Sequence, residues 1–185
     1  EISDYRGALD TWGKGLALAE NSGNKQAIAV FLGNIGTVYL NLRDYPRALS
    51  YYEKSLILNR EVGDRKNESI SLISIGNVYL ELSDYPKALS CYEQSLNISK
   101  QIGDIPGEGN ALGNIGNIHA KTANYANALS YYEKSLSIKK QIGDKKDQGL
   151  ILENIGNVYS NLGDYTKALS YYEQSLKISK EIGNR

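Results

Sequence analysis

The sequence predicts an all-α fold, a solenoid of antiparallel helix pairs, and three observations carry that prediction. First, the chain returns on itself every 40 residues: Gly36 recurs as Gly76, Gly116 and Gly156, and Ala48 as Ala88, Ala128 and Ala168. A fixed period of this kind marks a repeat architecture, in which each unit buries its apolar face against its neighbours. Second, each unit holds two stretches with apolar residues at helical spacing, such as Ile28, Leu32, Ile35, Val38, Tyr39 and then Ala48, Leu49, Tyr52, Leu56. Third, only two or three residues separate these stretches, which makes successive helices antiparallel neighbours.

The pattern places nine helices, at 4–22, 25–42, 45–62, 65–82, 85–102, 105–122, 125–142, 145–162 and 165–182. They group into a half repeat, 1–24, and full repeats 25–64, 65–104, 105–144 and 145–185, forming one array across 1–185. The junctions carry start and stop signals. Asp44 is an N-cap whose carboxylate can accept from the free amides of the next helix's first turn. Pro46 sits in that first turn, where its missing donor costs nothing. Gly63 supplies a left-handed stop, and the same punctuation is expected at Gly103, Gly143 and Gly183. Pro106 falls at a helix start, where proline is tolerated. The chain has no methionine and opens partway through a unit, so it is expected to be a fragment of a longer protein.

Composition removes several classes of function. Lys plus Arg number 21 and Asp plus Glu number 21, a balance that argues against nucleic acid and against an anionic membrane surface as partners. No apolar run approaches the length of a membrane span. A single cysteine, Cys91, rules out an internal disulfide and suits a reducing compartment, so a cytoplasmic location is expected.

No catalytic residues emerge, and neither a metal nor a cofactor is expected. His119, the only histidine, occupies the register of Tyr39, Tyr79 and Tyr159 and reads as a replacement packing aromatic. Cys91 likewise stands where Tyr51, Tyr131 and Tyr171 stand in the other repeats. The runs Gly33-Asn34-Ile35-Gly36 and Gly113-Asn114-Ile115-Gly116 lie mid-helix and lack the strand-to-helix turn of a phosphate cradle. Glycine inside a helix costs about 1 kcal/mol relative to alanine. Its return at Gly36 and its copies is a close helix approach, into which an aromatic of the second helix fits, with Ala48 and its copies as small partners.

The spacing Leu32, Ile35-Gly36, Tyr39, Ala48, Tyr52, Ser55 resembles the tetratricopeptide repeat pattern, and it covers every unit. That family's usual period is 34, with a proline closing the second helix. Here Arg60, Lys100, Lys140 and Lys180 stand where the proline would be, and the helices are longer. The 40-residue form is similar to the repeats of Pins/LGN-type adaptors and of bacterial signalling arrays. The resemblance implies a right-handed superhelix whose first helices line a concave groove.

On the first helix of each unit, positions 4, 3 and 4 residues apart form one stripe turned away from the core. In order these are Val30, Asn34, Thr37, Asn41; Ile70, Ser74, Asn77, Glu81; Asn110, Asn114, Asn117, Lys121; and Leu150, Asn154, Asn157, Asn161. They stay within about 60° of one another on a helix. The resemblance turns this stripe towards the groove. Asn carries a donor and an acceptor, so a ladder of them can grip the backbone of a bound chain. The competing reading is a merely solvated face, but Asn is a poor helix former and recurs here in mid-helix. Some family members clamp a carboxylate with basic residues at the first stripe site, where this chain has Val30, Ile70, Asn110 and Leu150. Only Lys121 adds positive charge, so a strongly acidic ligand is not expected.

The function that fits is a non-catalytic protein- or peptide-binding module. The alternative is a structural array that self-associates or couples neighbouring domains. The apolar stripes of the last helix, Tyr165/Ala168/Leu169/Tyr172/Leu176 and Tyr171/Ile178/Ile182, make end-to-end self-association an expectation of its own.

Overall fold

The computed structural model describes residues 2–183, with side chains from Tyr5 onward. Among these residues there are nine α-helices: α1 (Ile2–Ser22), α2 (Lys25–Asn41), α3 (Tyr45–Glu61), α4 (Arg65–Glu81), α5 (Tyr85–Ile102), α6 (Ile105–Lys121), α7 (Tyr125–Gln141), α8 (Lys145–Asn161) and α9 (Tyr165–Gly183). Every boundary falls within two residues of the expected one. The agreement has a local cause, because the junctions are made by the residues that signalled them. Asp44 accepts from the Arg47 amide at 3.1 Å, and Asp64 from the Asn67 amide at 3.0 Å. Gly23, Gly63, Gly103 and Gly143 close their helices with φ of 66°, 71°, 69° and 73°. The expected stop at Gly183 is not made. That residue is the last described turn of α9, and Asn184 lies outside the described residues.

The junction inside each hairpin needs the same left-handed residue, but three of the four are not glycine. Arg43, Ser83 and Ala123 take φ of 59°, 59° and 57° where Gly163 takes 77°. The geometry is enforced by carbonyls that must be satisfied at the helix end. Arg43 N–H donates to the Leu40 carbonyl at 2.9 Å and Asp44 N–H to the Tyr39 carbonyl at 2.8 Å. The same bonds close α4, α6 and α8.

The chain divides into two compact units, residues 1–102 and 103–185. In the first, α2 pairs with α3 and α4 with α5; α1 packs on α2 and α3 on α4. In the second, α6 pairs with α7, α8 with α9, and α7 packs on α8. First helices also touch each other inside each unit, α2 with α4 and α6 with α8. Their exposed stripes therefore lie side by side.

Each unit has a core built from the same registers. In the first unit Ala48, Tyr52, Leu56, Leu72, Ile75 and Val78 are buried together; in the second, Ala128, Tyr132, Leu136, Leu152, Ile155 and Val158. The helical glycines are the hinge of this packing. A Cβ added at Gly36, Gly76, Gly116 or Gly156 would stand 2.8, 2.5, 2.7 or 2.6 Å from the ring of Tyr52, Tyr92, Tyr132 or Tyr172. Burying such a ring stabilises by about 1.5–3 kcal/mol, more than a helical glycine costs. Serines then tie the two helices of a hairpin: buried Ser55 and Ser135 and half-buried Ser175 donate to the carbonyls of Ala29, Gly109 and Gly149 at 2.8, 2.7 and 2.9 Å.

Among the described residues no helix is long and apolar enough to cross a membrane.

Candidate functional site

The stripe faces solvent as expected, with Val30, Ile70 and Leu150 about half exposed at 48%, 49% and 52%. Thr37, Asn41, Glu81, Asn110, Lys121, Asn157 and Asn161 are exposed, while Asn34, Ser74, Asn77, Asn114, Asn117 and Asn154 are half-buried at its foot.

The third register has a second task that the sequence did not disclose. Tyr92, Tyr132 and Tyr172 donate their hydroxyls to the carboxamide oxygens of Asn77, Asn117 and Asn157 at 2.7, 2.7 and 2.8 Å. In the first full repeat Tyr52 donates to the Thr37 hydroxyl at 3.0 Å. The tyrosine that fills the glycine notch thus ends on the stripe. Asn154 adds a cross-helix link, its amide donating to Asn117 Oδ1 at 3.3 Å. The carboxamide oxygen of Asn77, Asn117 and Asn157 is thereby committed to a tyrosine of the same hairpin.

Between α2, α3 and α4 the stripe opens into a cavity of about 150 Å³. Val30, Asn34 and Thr37 line it from α2, Ile70 and Ser74 from α4, and Ser55, Asn59 and Ser71 lie deeper. Asn59 is 2% exposed. Its NH2 donates to Ser71 Oγ at 3.1 Å and Ser55 Oγ at 3.4 Å, and its Oδ1 is buried with no hydrogen-bond partner in the protein.

Two periods further on, Lys139 holds the register of Asn59. Its side chain is almost wholly buried, and its ammonium donates to Asn110 Oδ1 at 2.6 Å, Asp144 at 3.1 Å and Asp147 at 2.5 Å. Burial alone pulls this ammonium down, but the hydrogen bonds it donates to Asp147 and Asp144 outweigh this and hold the group above its ordinary value. Burial pushes the Asp144 carboxyl up, and the Asp147 amide with the Lys139 ammonium more than reverses this. The stripe residue Asn110 is therefore an anchor for Lys139. In the first unit the buried charge is instead Glu68, which receives Arg60 Nε at 2.9 Å and the Arg65 guanidinium.

His119 and Cys91 occupy packing positions. The imidazole stacks on Tyr131 with centroids 5.3 Å apart, as Tyr39 does on Tyr51 and Tyr159 on Tyr171. Cys91 packs against the first unit's core, and burial pushes its thiol up, away from the reactive thiolate. Asn59, Lys139 and Glu68 were missed in the sequence. A signal existed for one of them, since Lys139 precedes two acids by 5 and 8 residues across a helix junction.

Stacked antiparallel helix pairs with adjacent first helices, a glycine notch and an aromatic plug define a helical-repeat protein of the kind that serves protein interaction. The family model for the tetratricopeptide repeat matches residues 27–101 and 107–181, and the chain belongs to that family. Comparison with curated proteins gives no match. Among solved structures it is similar to BtubC (BKLC) from P. vanneervenii, with TM-score 0.84 and 17% identity over 98% of this chain and 76% of that one. Aspartyl phosphate phosphatase F from Bacillus subtilis gives 0.86 and 15% over 95% and 46%. A Rap protein complexed with competence and sporulation factor gives 0.86 and 17% over 97% and 50%. The chain spans about half the length of these last two proteins, and identities this low establish the fold alone.

Proposed function

We propose that the chain is a non-catalytic module whose units each bind a protein or peptide segment along the stripe of their own first helices, α2 with α4 and α6 with α8. The observation that carries this reading is the composition of that face: open apolar side chains at Val30, Ile70 and Leu150 beside half-buried amides at Asn34, Asn114 and Asn154. The side-chain amides of Asn34, Asn41, Asn114 and Asn161 make no hydrogen bond to another protein group among the described residues, so they are available to a ligand backbone. The Rap protein solved with competence and sporulation factor bound supports the same use of the fold.

Each backbone hydrogen bond to such an amide contributes about 0.5–1.5 kcal/mol net. Three or four of them with the apolar contacts give affinity around micromolar, only weakly dependent on salt because the stripe is nearly uncharged. The test is a peptide-library screen on the purified chain, followed by calorimetry with Asn114→Ala and Asn154→Ala, on the adjacent helices α6 and α8 of one unit, singly and together. The double variant is expected to bind at least tenfold more weakly with an unchanged or slightly raised melting curve, since alanine is the better helix former. Unchanged affinity in the double variant sinks the groove reading.

One observation favours a second reading, self-association. Helix α9 exposes Tyr165, Leu169 and Leu176 at 72%, 59% and 54%. Light scattering across a concentration series tests it. A strict monomer at high concentration removes self-association, and a Leu169→Glu variant that dissociates an assembly supports it.

A further inference from the structure

The cavity between α2, α3 and α4 has a chemistry more specific than the stripe around it. Asn59 sits at its deep end, and the orientation of the Asn59 carboxamide is fixed by its neighbours. Ser55 Oγ donates to the Ala29 carbonyl at 2.8 Å and Ser71 Oγ to the Asn67 carbonyl at 2.9 Å. Both hydroxyls therefore turn only lone pairs towards Asn59, and only its NH2 can face them. The Oδ1 is left over, buried and without a partner. A buried carbonyl oxygen in that state carries a desolvation cost that a hydrogen-bond donor relieves.

The repeat itself shows what a donor at this register looks like. In the second unit Lys139 fills the place with its own ammonium, held by Asp147, Asp144 and Asn110. In the first unit Asn59 stands for Lys139 and Asn67 for Asp147, so the ammonium and its closer carboxylate have become amides, while Asp64, the counterpart of Asp144, accepts from Asn67 and does not line the cavity. The residues that line the cavity are all uncharged. An ammonium entering it would lose its hydration with no carboxylate on the wall to replace it. A neutral donor carries no such cost.

We propose that this cavity is a side-chain pocket for a carboxamide, that of a Gln or Asn in the protein segment lying on the stripe. The guest NH2 serves Asn59 Oδ1, its carbonyl meets the Asn34 amide at the rim, and its methylenes lie between Val30 and Ile70. A volume of about 150 Å³ accommodates such a side chain. The pocket deepens the groove reading and rests on it: the segment must run along the first helices for one of its side chains to drop between α2 and α4.

The probe is N-acetyl-glutamine methylamide, compared with its glutamate, lysine and leucine counterparts, titrated into the isotope-labelled chain and followed by amide NMR. The glutamine probe is expected to shift the Asn59 side-chain amide and the backbone around residues 29–37 and 67–74, with a Kd of about 1 mM for a ligand of its size. The three others are expected to bind at least tenfold more weakly. Asn59→Ser copies the residue at positions 99 and 179 and so suits the fold; it should weaken the glutamine probe at least fivefold. Asn59→Lys combined with Asn67→Asp installs the second unit's ion pair and should abolish binding while the chain stays folded. The proposal is overturned if the leucine or lysine probe binds as well as the glutamine probe. It is equally overturned if both variants leave the glutamine probe unaffected, or if no probe shifts these resonances and the pocket holds solvent alone. A partner that depends on Asn34 but is indifferent to Asn59 overturns the pocket and leaves the groove standing.

Discussion

Tyr132 donates its hydroxyl to Asn117 Oδ1 at 2.7 Å while its ring lies where a Cβ on Gly116 would stand, 2.7 Å away. One side chain thus joins the core of a hairpin to the face proposed to bind a partner. Replacing Gly116 by Ala improves helix propensity by about 1 kcal/mol, but the new methyl overlaps the buried Tyr132 ring, so one of the two must shift. Overpacking of that kind costs about 1–3 kcal/mol, so Gly116→Ala is expected to lower the urea midpoint despite its better propensity. A raised midpoint would show that the notch is not tight.

Tyr132→Phe separates the two tasks of that residue. The ring stays and the hydroxyl goes, so the expected loss is near 1 kcal/mol, a typical net hydrogen bond. Burial pushes the Tyr132 phenol up to about 12, so the bond persists across the whole working pH range. The Asn117 amide then keeps only the longer bond from Asn154 on the stripe. If the groove reading holds, ligand affinity should fall more than stability does, which paired calorimetry and denaturation on the same variant would measure.

The left-handed junction residues give a prediction of the opposite sign. A non-glycine residue in this conformation carries about 1–2 kcal/mol of strain, and glycine's extra freedom in the unfolded chain returns about 0.4–1 kcal/mol of that. Ala123→Gly and Ser83→Gly should therefore stabilise by about 0.5–1 kcal/mol each, and Gly163→Ala should destabilise by a similar amount. Thermal melts of the three single variants decide it, and a uniform loss of stability in the first two would contradict the strain argument.

These variants also mark where sequence reading stopped. Helix limits were legible because each junction is local: Asp44 caps within three residues, and Gly63 turns the chain by its own φ. The Gly36–Tyr52 notch was legible because both partners recur at fixed spacing. The Tyr132–Asn117 bond was not, since a hydroxyl's reach depends on how two helices settle against each other. The strain at Arg43, Ser83 and Ala123 could have been read from Gly163, which shows the residue that the junction prefers. Asn59 and Lys139 were hidden because a polar residue at a core register looks, in sequence, like one pointing outward.

Lys139 carries a prediction about stability at neutral pH. Removing one member of a buried ion pair costs about 3–5 kcal/mol, but Asp144 and Asp147 are about a third exposed, at 32% and 36%, and water screens part of what remains. Lys139→Asn alone should destabilise the second unit by about 1–3 kcal/mol. Adding Asp147→Asn, which completes the first unit's pairing, should cost little more, because the carboxylate left behind is gone. A double-mutant cycle with no coupling beyond about 0.5 kcal/mol would mean the pair contributes nothing specific.

The same cluster sets a pH dependence whose sign follows from the two shifts. Asp144 lies below its ordinary value of 3.8 when folded, so the stability it confers is present above that value and disappears as pH falls through the folded one. Lys139 lies above 10.5, so its share is complete below that value and is lost only as pH rises through the higher folded one. Between these limits the cluster gives a flat profile. Asp144 owes its depression to the Asp147 amide first and to the Lys139 ammonium second, both acting against burial. In Lys139→Met the amide remains and the ammonium is gone, so the Asp144 carboxyl should titrate at higher pH than in the parent while staying capped. Carboxyl-carbon NMR through the acid range reads this directly. Identical Asp144 titration curves in parent and variant would show that the lysine, although buried beside the carboxylate, does not hold it.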